Sequence, residues 1–339
     1  MATTVTSGAS STPPGKAPNL AHHAAPQAAQ HAAFHGVPLP AGVTVFERGW
    51  LSSNNILIQG ANHCALIDSG YCTHAPQTVA LVRAALHTRP LDWLLNTHLH
   101  SDHCGGNAAL QAAYPALQTH IPPGHSDFVW EWNADALSYT PTGQQCPPFK
   151  FDTLLQPGST VHLGDLQWQV HAAPGHDPHA VILLEPVSRT VITADALWAR
   201  GFGVVFPELD GVDAFDAVAA TLDLIESLQP LAVIPGHGAP FTTVHQSIAV
   251  ARERLNGFVI DPIRHLQHAA KVLLKFKLLE VQCMERANLL AWAQATPYFA
   301  AMLGKHFGGH DFAHGVDQLV QDLVRSGAAT VHGNWIYNN

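Results

Sequence analysis

The chain is poor in cysteine, in charge and in long apolar runs, and each shortage removes a class of protein. Five cysteines in 339 residues, at 64, 72, 104, 146 and 283, are odd in number and include no Cys-x-x-Cys pair. They form neither an even disulfide framework nor a thiolate zinc site, and a reducing cytoplasm is the expected setting. No apolar stretch reads as a signal peptide or a membrane span, so no membrane partner is expected. Charged residues make up only 12% of the chain, and 16 Lys and Arg against 25 Asp and Glu leave a net charge of −9. So acidic a chain lacks the broad basic face that a phosphate polymer requires, which disfavours nucleic acid as a partner. The deficit is uneven: from Ala251 onward the balance is +2, and the rest carries −11. Lys271 and Lys275 share a helical face in that later part, which reads as solvated before it reads as a basic pocket.

Histidine, by contrast, is abundant, with 24 residues. The run Thr97-His98-Leu99-His100-Ser101-Asp102-His103-Cys104-Gly105-Gly106 places four metal-capable side chains within six residues. It follows the short apolar run Leu91–Asn96, which reads as a buried strand, and precedes a helix opening after Gly106. A loop at the end of a strand, anchored by a sheet, is where side chains can converge on an ion. Cys104, beside His103, reads as packing, since neighbours on an extended loop point apart.

One loop cannot surround two ions, and the same pattern recurs downstream. A strand-like Leu166–Val170 leads to Pro174-Gly175-His176, Val191-Ile192-Thr193-Ala194 ends at Asp195, and Ala232-Val233-Ile234 leads to Pro235-Gly236-His237. The Pro-Gly pairs supply tight turns that swing each following His inward. Imidazole and carboxylate donors without thiolate suit Zn²⁺ and tolerate Mn²⁺ or Fe²⁺.

In these motifs, over roughly residues 43–243, the chain resembles the metallo-β-lactamase superfamily, in particular its binuclear hydrolase branch, which includes glyoxalase II. The resemblance implies two divalent ions, with His98, His100 and His176 on one, Asp102, His103 and His237 on the other, and Asp195 bridging. Asp68, ending Ala65-Leu66-Ile67, matches a family acid that supports the ligand loop. The third motif, Pro174-Gly175-His176-Asp177-Pro178-His179, is one residue shorter than the common Pro-Gly-His-Thr-Pro-Gly-His form, which leaves His179 without an assigned role. A water shared by two ions about 3.5 to 4 Å apart becomes hydroxide near neutral pH, so no Ser or Cys nucleophile is required. Asp102 is the residue expected to orient that hydroxide or take its proton.

The implied fold is α/β, a four-layer αββα metallo-β-lactamase sandwich with a C-terminal, mainly helical extension. Strands are expected near 43–46, 56–58, 64–67, 93–95, 166–170, 181–184, 191–193 and 232–234, and helices over 75–87 and 213–228. Residues 1–40, rich in Ala, Pro, Ser, Thr and His, are expected to be a disordered tail, with 41–243 the hydrolase domain. Residues 244–339 read as helices followed by a hairpin turning at Gly333-Asn334, similar to the winged-helix appendage of some family members, and these apolar helices are compatible with a homodimer without requiring one. The stretch 116–160 reads as irregular, and its aromatics Phe128, Trp130, Trp132, Tyr139 and Phe149 are candidates for a substrate wall.

The function expected is metal-dependent hydrolysis of a small thioester, ester or lactone. RNA phosphodiester cleavage, known for ribonucleases of the same fold, is disfavoured by charge, and persulfide dioxygenase chemistry on one iron by the complete second ligand set. A bridging Asp195 argues against a true β-lactamase. The segment after Asp195 departs from the glutathione-facing segment of glyoxalase II, and Trp198, Arg200 and Phe202 are expected to line the mouth of the site.

Overall fold

The computed structural model of the chain describes residues 37–307 and 312–339. Nearly all of the expected 1–40 tail, with His22, His23, His31 and His35, lies outside the described residues.

Two sheets carry the fold. In the first, β1 (Val43–Phe46), β2 (Asn55–Gln59), β3 (Cys64–Ile67), β4 (Trp93–Leu95), β5 (Gln118–Ile121) and β6 (Thr153–Leu154) lie side by side in that order. The second contains β7 (Thr160–Leu163), β8 (Leu166–Ala172), β9 (Val181–Glu185), β10 (Thr190–Ala194) and β11 (Ala232–Pro235), in spatial order β11-β10-β9-β8-β7. Strand alternation decides what each face meets. Ile56, Ile58, Ala65 and Ile67 of the first sheet pack against Trp168, Val170, Val181, Leu183 and Ile192 of the second, which fills the space between them. The alternate residues Leu57, Cys64 and Leu66 point out onto Val82 and Leu86 of the Ala75–Leu86 helix. On the other side, Ile182, Leu184, Val191 and Val233 meet Val218, Leu222 and Ile225 of the Phe215–Ser227 helix and Ile248 and Leu255 of the Val244–Ile260 helix. These strands are buried on both faces, so they read as continuous apolar runs. The result is the four-layer αββα sandwich with a mainly helical C-terminal extension.

Four strands arise where no strand is expected: β5 and β6 within the irregular stretch 116–160, β7 at its end, and one more in the C-terminal extension. β5 carries a single large apolar residue, Ile121, and is specified by parallel pairing with β4, while Asp152 Oδ2 accepts the Thr119 N–H at 2.7 Å. β12 (Cys283–Glu285) is likewise defined by its partner, adding to the C-terminal hairpin of β13 (Ala329–His332) and β14 (Trp335–Asn338) to make a three-stranded sheet.

The long Pro262–Val281 helix joins the extension to the sandwich. Its Leu273, Leu274 and Leu278 enter a core with Leu289, Phe299 and Leu319 of the later helices. Glu280 accepts the Tyr71 hydroxyl at 3.0 Å, and Phe276 meets the Tyr71 ring edge-on at 5.0 Å. Lys275 Nζ donates to Ala328 O and Asn338 Oδ1, both at 2.6 Å, and Lys271 lies 3.8 Å from Asp322. Both lysines therefore brace the extension. No helix among the described residues is long and apolar enough to cross a membrane.

His265 of the same helix accepts the Val205 N–H through Nε2 at 3.1 Å, and burial pushes its pKa down to about 4. Between pH 6.5 and 4 the unfolded chain holds a proton that the folded chain does not, so this residue makes stability fall as the pH drops through that window. His265→Gln, which keeps an acceptor and does not titrate, should make the pH dependence shallower there by up to about 1.4 kcal/mol per pH unit, measured by urea unfolding.

Candidate metal centre

Four strand ends on one edge of the sandwich deliver the singled-out residues to a common place. His98, His100, Asp102 and His103 follow β4, His176 follows β8, Asp195 ends β10 and His237 follows β11. The edge is closed by bonds between the sheets: Val181 N donates to Thr97 O at 2.8 Å, and Asn54 Nδ2 to Pro235 O at 2.9 Å. Gly236 is required by contact, because a Cβ there would collide with Asp195 Oδ1. Ala194 sits at φ 46, a conformation that few non-glycine residues adopt and that directs Asp195 into the cluster.

The side chains form two donor groups, His98 with His100 and His176, and Asp102 with His103, Asp195 and His237, the donor atoms of each group within 4.8 Å of one another. His176 Nε2 lies 2.7 Å from His100 Nδ1 and 3.3 Å from His98 Nε2. Asp195 stands between the groups, with Oδ2 at 3.4 Å from His176 Nε2 and Oδ1 at 3.4 Å from His103 Nε2. Asp102 Oδ2 is 3.1 Å from His237 Nε2. His103 Nε2 is buried without a hydrogen-bond partner, which is expensive unless a cation completes it. All-imidazole and mixed imidazole–carboxylate sets, converging and buried, make this cluster suitable for a metal site.

Electrostatics divides the histidines. Burial, reinforced by the other imidazoles, holds His98 well below its usual range and His100 at about 3, so both present neutral nitrogens. For His103 burial works the same way but is outweighed by Asp195, Asp68 and Asp102, which raise its pKa well above normal. Asp195 is the reciprocal case: burial opposes its charge, yet His103 and His237 hold it far below the carboxylate range.

Four of the five imidazoles are held from behind by hydrogen bonds, as metal-binding histidines are, His98 by the Thr97 hydroxyl at 3.2 Å, and the fifth, His100, has a carboxylate nearby. Val204 O accepts from His176 Nδ1 at 2.5 Å, Gly49 O lies 3.2 Å from His237 Nδ1, and Asp177 Oδ2 lies 3.8 Å from His100 Nε2. Asp68 does the most. Its Oδ1 accepts the Thr97 N–H at 2.9 Å, and its Oδ2 accepts the Thr97 hydroxyl and the His103 Nδ1–H, both at 2.8 Å. Trp198 Nε1 donates to Asp195 Oδ1 at 3.1 Å, and Trp50 stacks on the His237 ring at 5.4 Å.

A cavity of about 80 Å³, open to solvent, lies over the cluster. Of the three residues expected at its mouth, only Trp198 borders it. The chain turns back at Trp198–Gly201, where Trp198 N donates to Gly201 O at 2.7 Å, which leaves Arg200 exposed on the turn and drives Phe202 inward. Phe202, 1% exposed, packs on Phe258 under the sheet-covering helices, so it is a core residue. The aromatics of 116–160 also lie elsewhere: Tyr139 and Phe149 pack with Leu99 and Cys104 beneath the ligand loop, and Trp130 is 81% exposed. Cys104 is buried there, with its Sγ 3.8 Å from Cys146 Sγ. His179 is exposed against His125, whereas its neighbour Asp177, which replaces the usual Thr, is buried beside His100. The other walls, missed in the sequence, are Trp50, Phe206 and residues of the Pro262–Val281 helix. Residues 244–339 read as helical in the sequence, but nothing in it showed where the Pro262–Val281 helix docks.

The metallo-beta-lactamase superfamily model matches residues 48–237. A hydroxyacylglutathione hydrolase of Anaeromyxobacter dehalogenans (strain 2CP-C) is 34% identical over 161 residues, 47% of this chain and 52% of that protein. The chain thus matches about half the length of that relative. Among solved structures, a metallo-beta-lactamase family protein of Thermus thermophilus, TTHA1429, is similar over 89% of this chain and 100% of that one, with a TM-score of 0.54 and 19% identity, a likeness of fold alone. The protein TTHA1623, solved in a di-iron-bound form, has a TM-score of 0.50 and 26% identity over 62% of this chain and 98% of its own.

Removing the Asp68 carboxylate would strand three buried donors at once. Asp68→Ala should lower the unfolding free energy by about 3 kcal/mol or more, and Asp68→Asn, which keeps acceptor capacity on one oxygen, by less; urea titration of both variants checks the order. Gly236→Ala should displace Asp195 and reduce the metal retained after gel filtration, measured by elemental analysis.

Proposed function

Because the chain belongs to the metallo-β-lactamase superfamily, we propose that it is a hydrolase with two divalent cations, cleaving a small thioester, ester or lactone. His98, His100 and His176 would hold one cation, Asp102, His103 and His237 the other, and Asp195 would serve both. The observation that carries this reading is the placement of Asp195, whose two oxygens face His103 and His176 on opposite sides at 3.4 Å each. Its donors suit Zn²⁺, with Mn²⁺ or Fe²⁺ accepted by the same set, and a structural neighbour has been solved with two irons.

Cations bound there would acidify a water and polarise the carbonyl of the substrate. The protein supplies the rest. Asp102 offers Oδ2 to the cluster while its side chain borders the cavity, which suits it to accept the proton that the attacking water loses. Trp198 fixes the orientation of Asp195, and with Trp50 it screens the His237 side from bulk water, strengthening the local electrostatics. The thioester reading is supported by the hydroxyacylglutathione hydrolase named among the relatives. RNA cleavage is supported less well, since no Lys or Arg is among the described residues lining the cavity.

Protein loaded with Zn²⁺ or Mn²⁺ should release acid, followed by pH-stat, from at least one of S-lactoylglutathione, simple acyl thioesters, esters or homoserine lactones, and a chelator should abolish that turnover. Asp102→Asn should lower kcat by about 10²-fold or more. Loaded protein that leaves all four classes intact but cuts RNA would replace this reading with the phosphodiesterase one.

A further inference from the structure

The Pro262–Val281 helix lies across the cavity from the donor cluster and presents Val272, Leu273 and Phe276 to it. These positions are held firmly. Leu273 is 2% exposed and anchored in the core of the extension, and Phe276 is fixed edge-on against Tyr71. Trp50 and Trp198, in edge contact at 5.3 Å, continue the apolar wall on the His237 side. His268, the one titratable group the helix adds, faces Phe258 at 5.9 Å and is kept neutral at pH 7, its pKa pushed to about 4 by burial and by Arg254, His265 and Lys271. An acyl group placed with its carbonyl on the donor cluster would therefore run its chain against carbon.

A second cavity, of about 230 Å³, adjoins the first across His100 and Phe206. Its polar edge includes Asp177 and Asp210, and no Lys or Arg is among the described residues lining either cavity. Asp210 is engaged by the Tyr298 hydroxyl at 2.8 Å. A leaving group directed past His100 would enter this cavity, where Asp177 and Asp210 would disfavour an anionic carrier.

We infer that the site is built for a medium-length apolar acyl group on an alcohol or thiol carrier that bears no carboxylates, with the Pro262–Val281 helix as the selecting wall. This rests on the hydrolase reading and narrows its substrate. It also separates the chain from the glutathione carrier named for its relatives, whose two carboxylates would meet no Lys or Arg among the described residues lining either cavity.

The test is a series of acetyl, butanoyl, hexanoyl and octanoyl thioesters, each on N-acetylcysteamine and on glutathione, with metal-loaded protein. The transfer free energy of a buried methylene corresponds to about fourfold in kcat/KM per CH₂, so hexanoyl should exceed acetyl by roughly two orders of magnitude. The neutral carrier should exceed glutathione by about tenfold or more, as expected for unpaired or opposed charge. Val272→Glu, which sets a carboxylate on the wall, should collapse the hexanoyl-to-acetyl ratio. Calorimetry should find hexanoate bound more tightly than acetate by the wild type, and by a smaller margin in the variant. Turnover with a flat chain-length profile, or a preference for glutathione, would overturn the inference and leave the hydrolase reading intact. Absence of all turnover would remove thioesters from the hydrolase reading, and equal binding of the two carboxylates would then overturn the acyl wall as well.

Discussion

The burial of a carboxylate among imidazoles is the constraint around which the rest is arranged. Asp195 is 5% exposed and His103 is fully buried, and neither could be desolvated so deeply without compensating charge. Asp68 answers this from behind by binding His103 and Thr97 together, which joins the loop after β4 to the end of β3. The converging donors, the orphaned His103 Nε2 and the opposed oxygens of Asp195 all leave positive charge as the missing element on the cavity side. The sandwich supplies rigidity: β10 and β11 are buried on both faces and β8 on the face toward the first sheet, so the loops start from fixed points.

The second dependence runs through the C-terminal extension. Its long helix reaches the centre by one relay, His265 holding Val205 and, one residue earlier in the chain, Val204 holding His176. A displacement of that helix would thus reach His176 through a single loop, and the same helix forms one wall of the cavity. Core packing, orientation of a donor and shaping of the binding space are consequently served by one element.

Much of the centre was legible because each contributing residue stands at the end of a strand whose apolar run and following turn are local signals. The cluster from His98 to His103 and the repeats at His176, Asp195 and His237 carry their own context. Phe202 was misread because its distance from Asp195 suggested the mouth, whereas the tight Trp198–Gly201 turn reverses the chain and sends it into the core. β5 and β12 were invisible for a related reason, since their partners specify them and their own side chains do not. Trp50, Asp177 and the wall of the long helix meet the cluster only through long-range packing, and no local pattern encodes that.

Everything proposed for the centre depends on whether the cluster holds two ions at the residues that the fold assembles. Crystals of the metal-loaded protein, with diffraction recorded on both sides of the zinc absorption edge, test this directly. Two anomalous peaks are expected, one among His98, His100 and His176 and the other among Asp102, His103 and His237, with Asp195 touching both. A single peak, or peaks confined to other histidines, would contradict it.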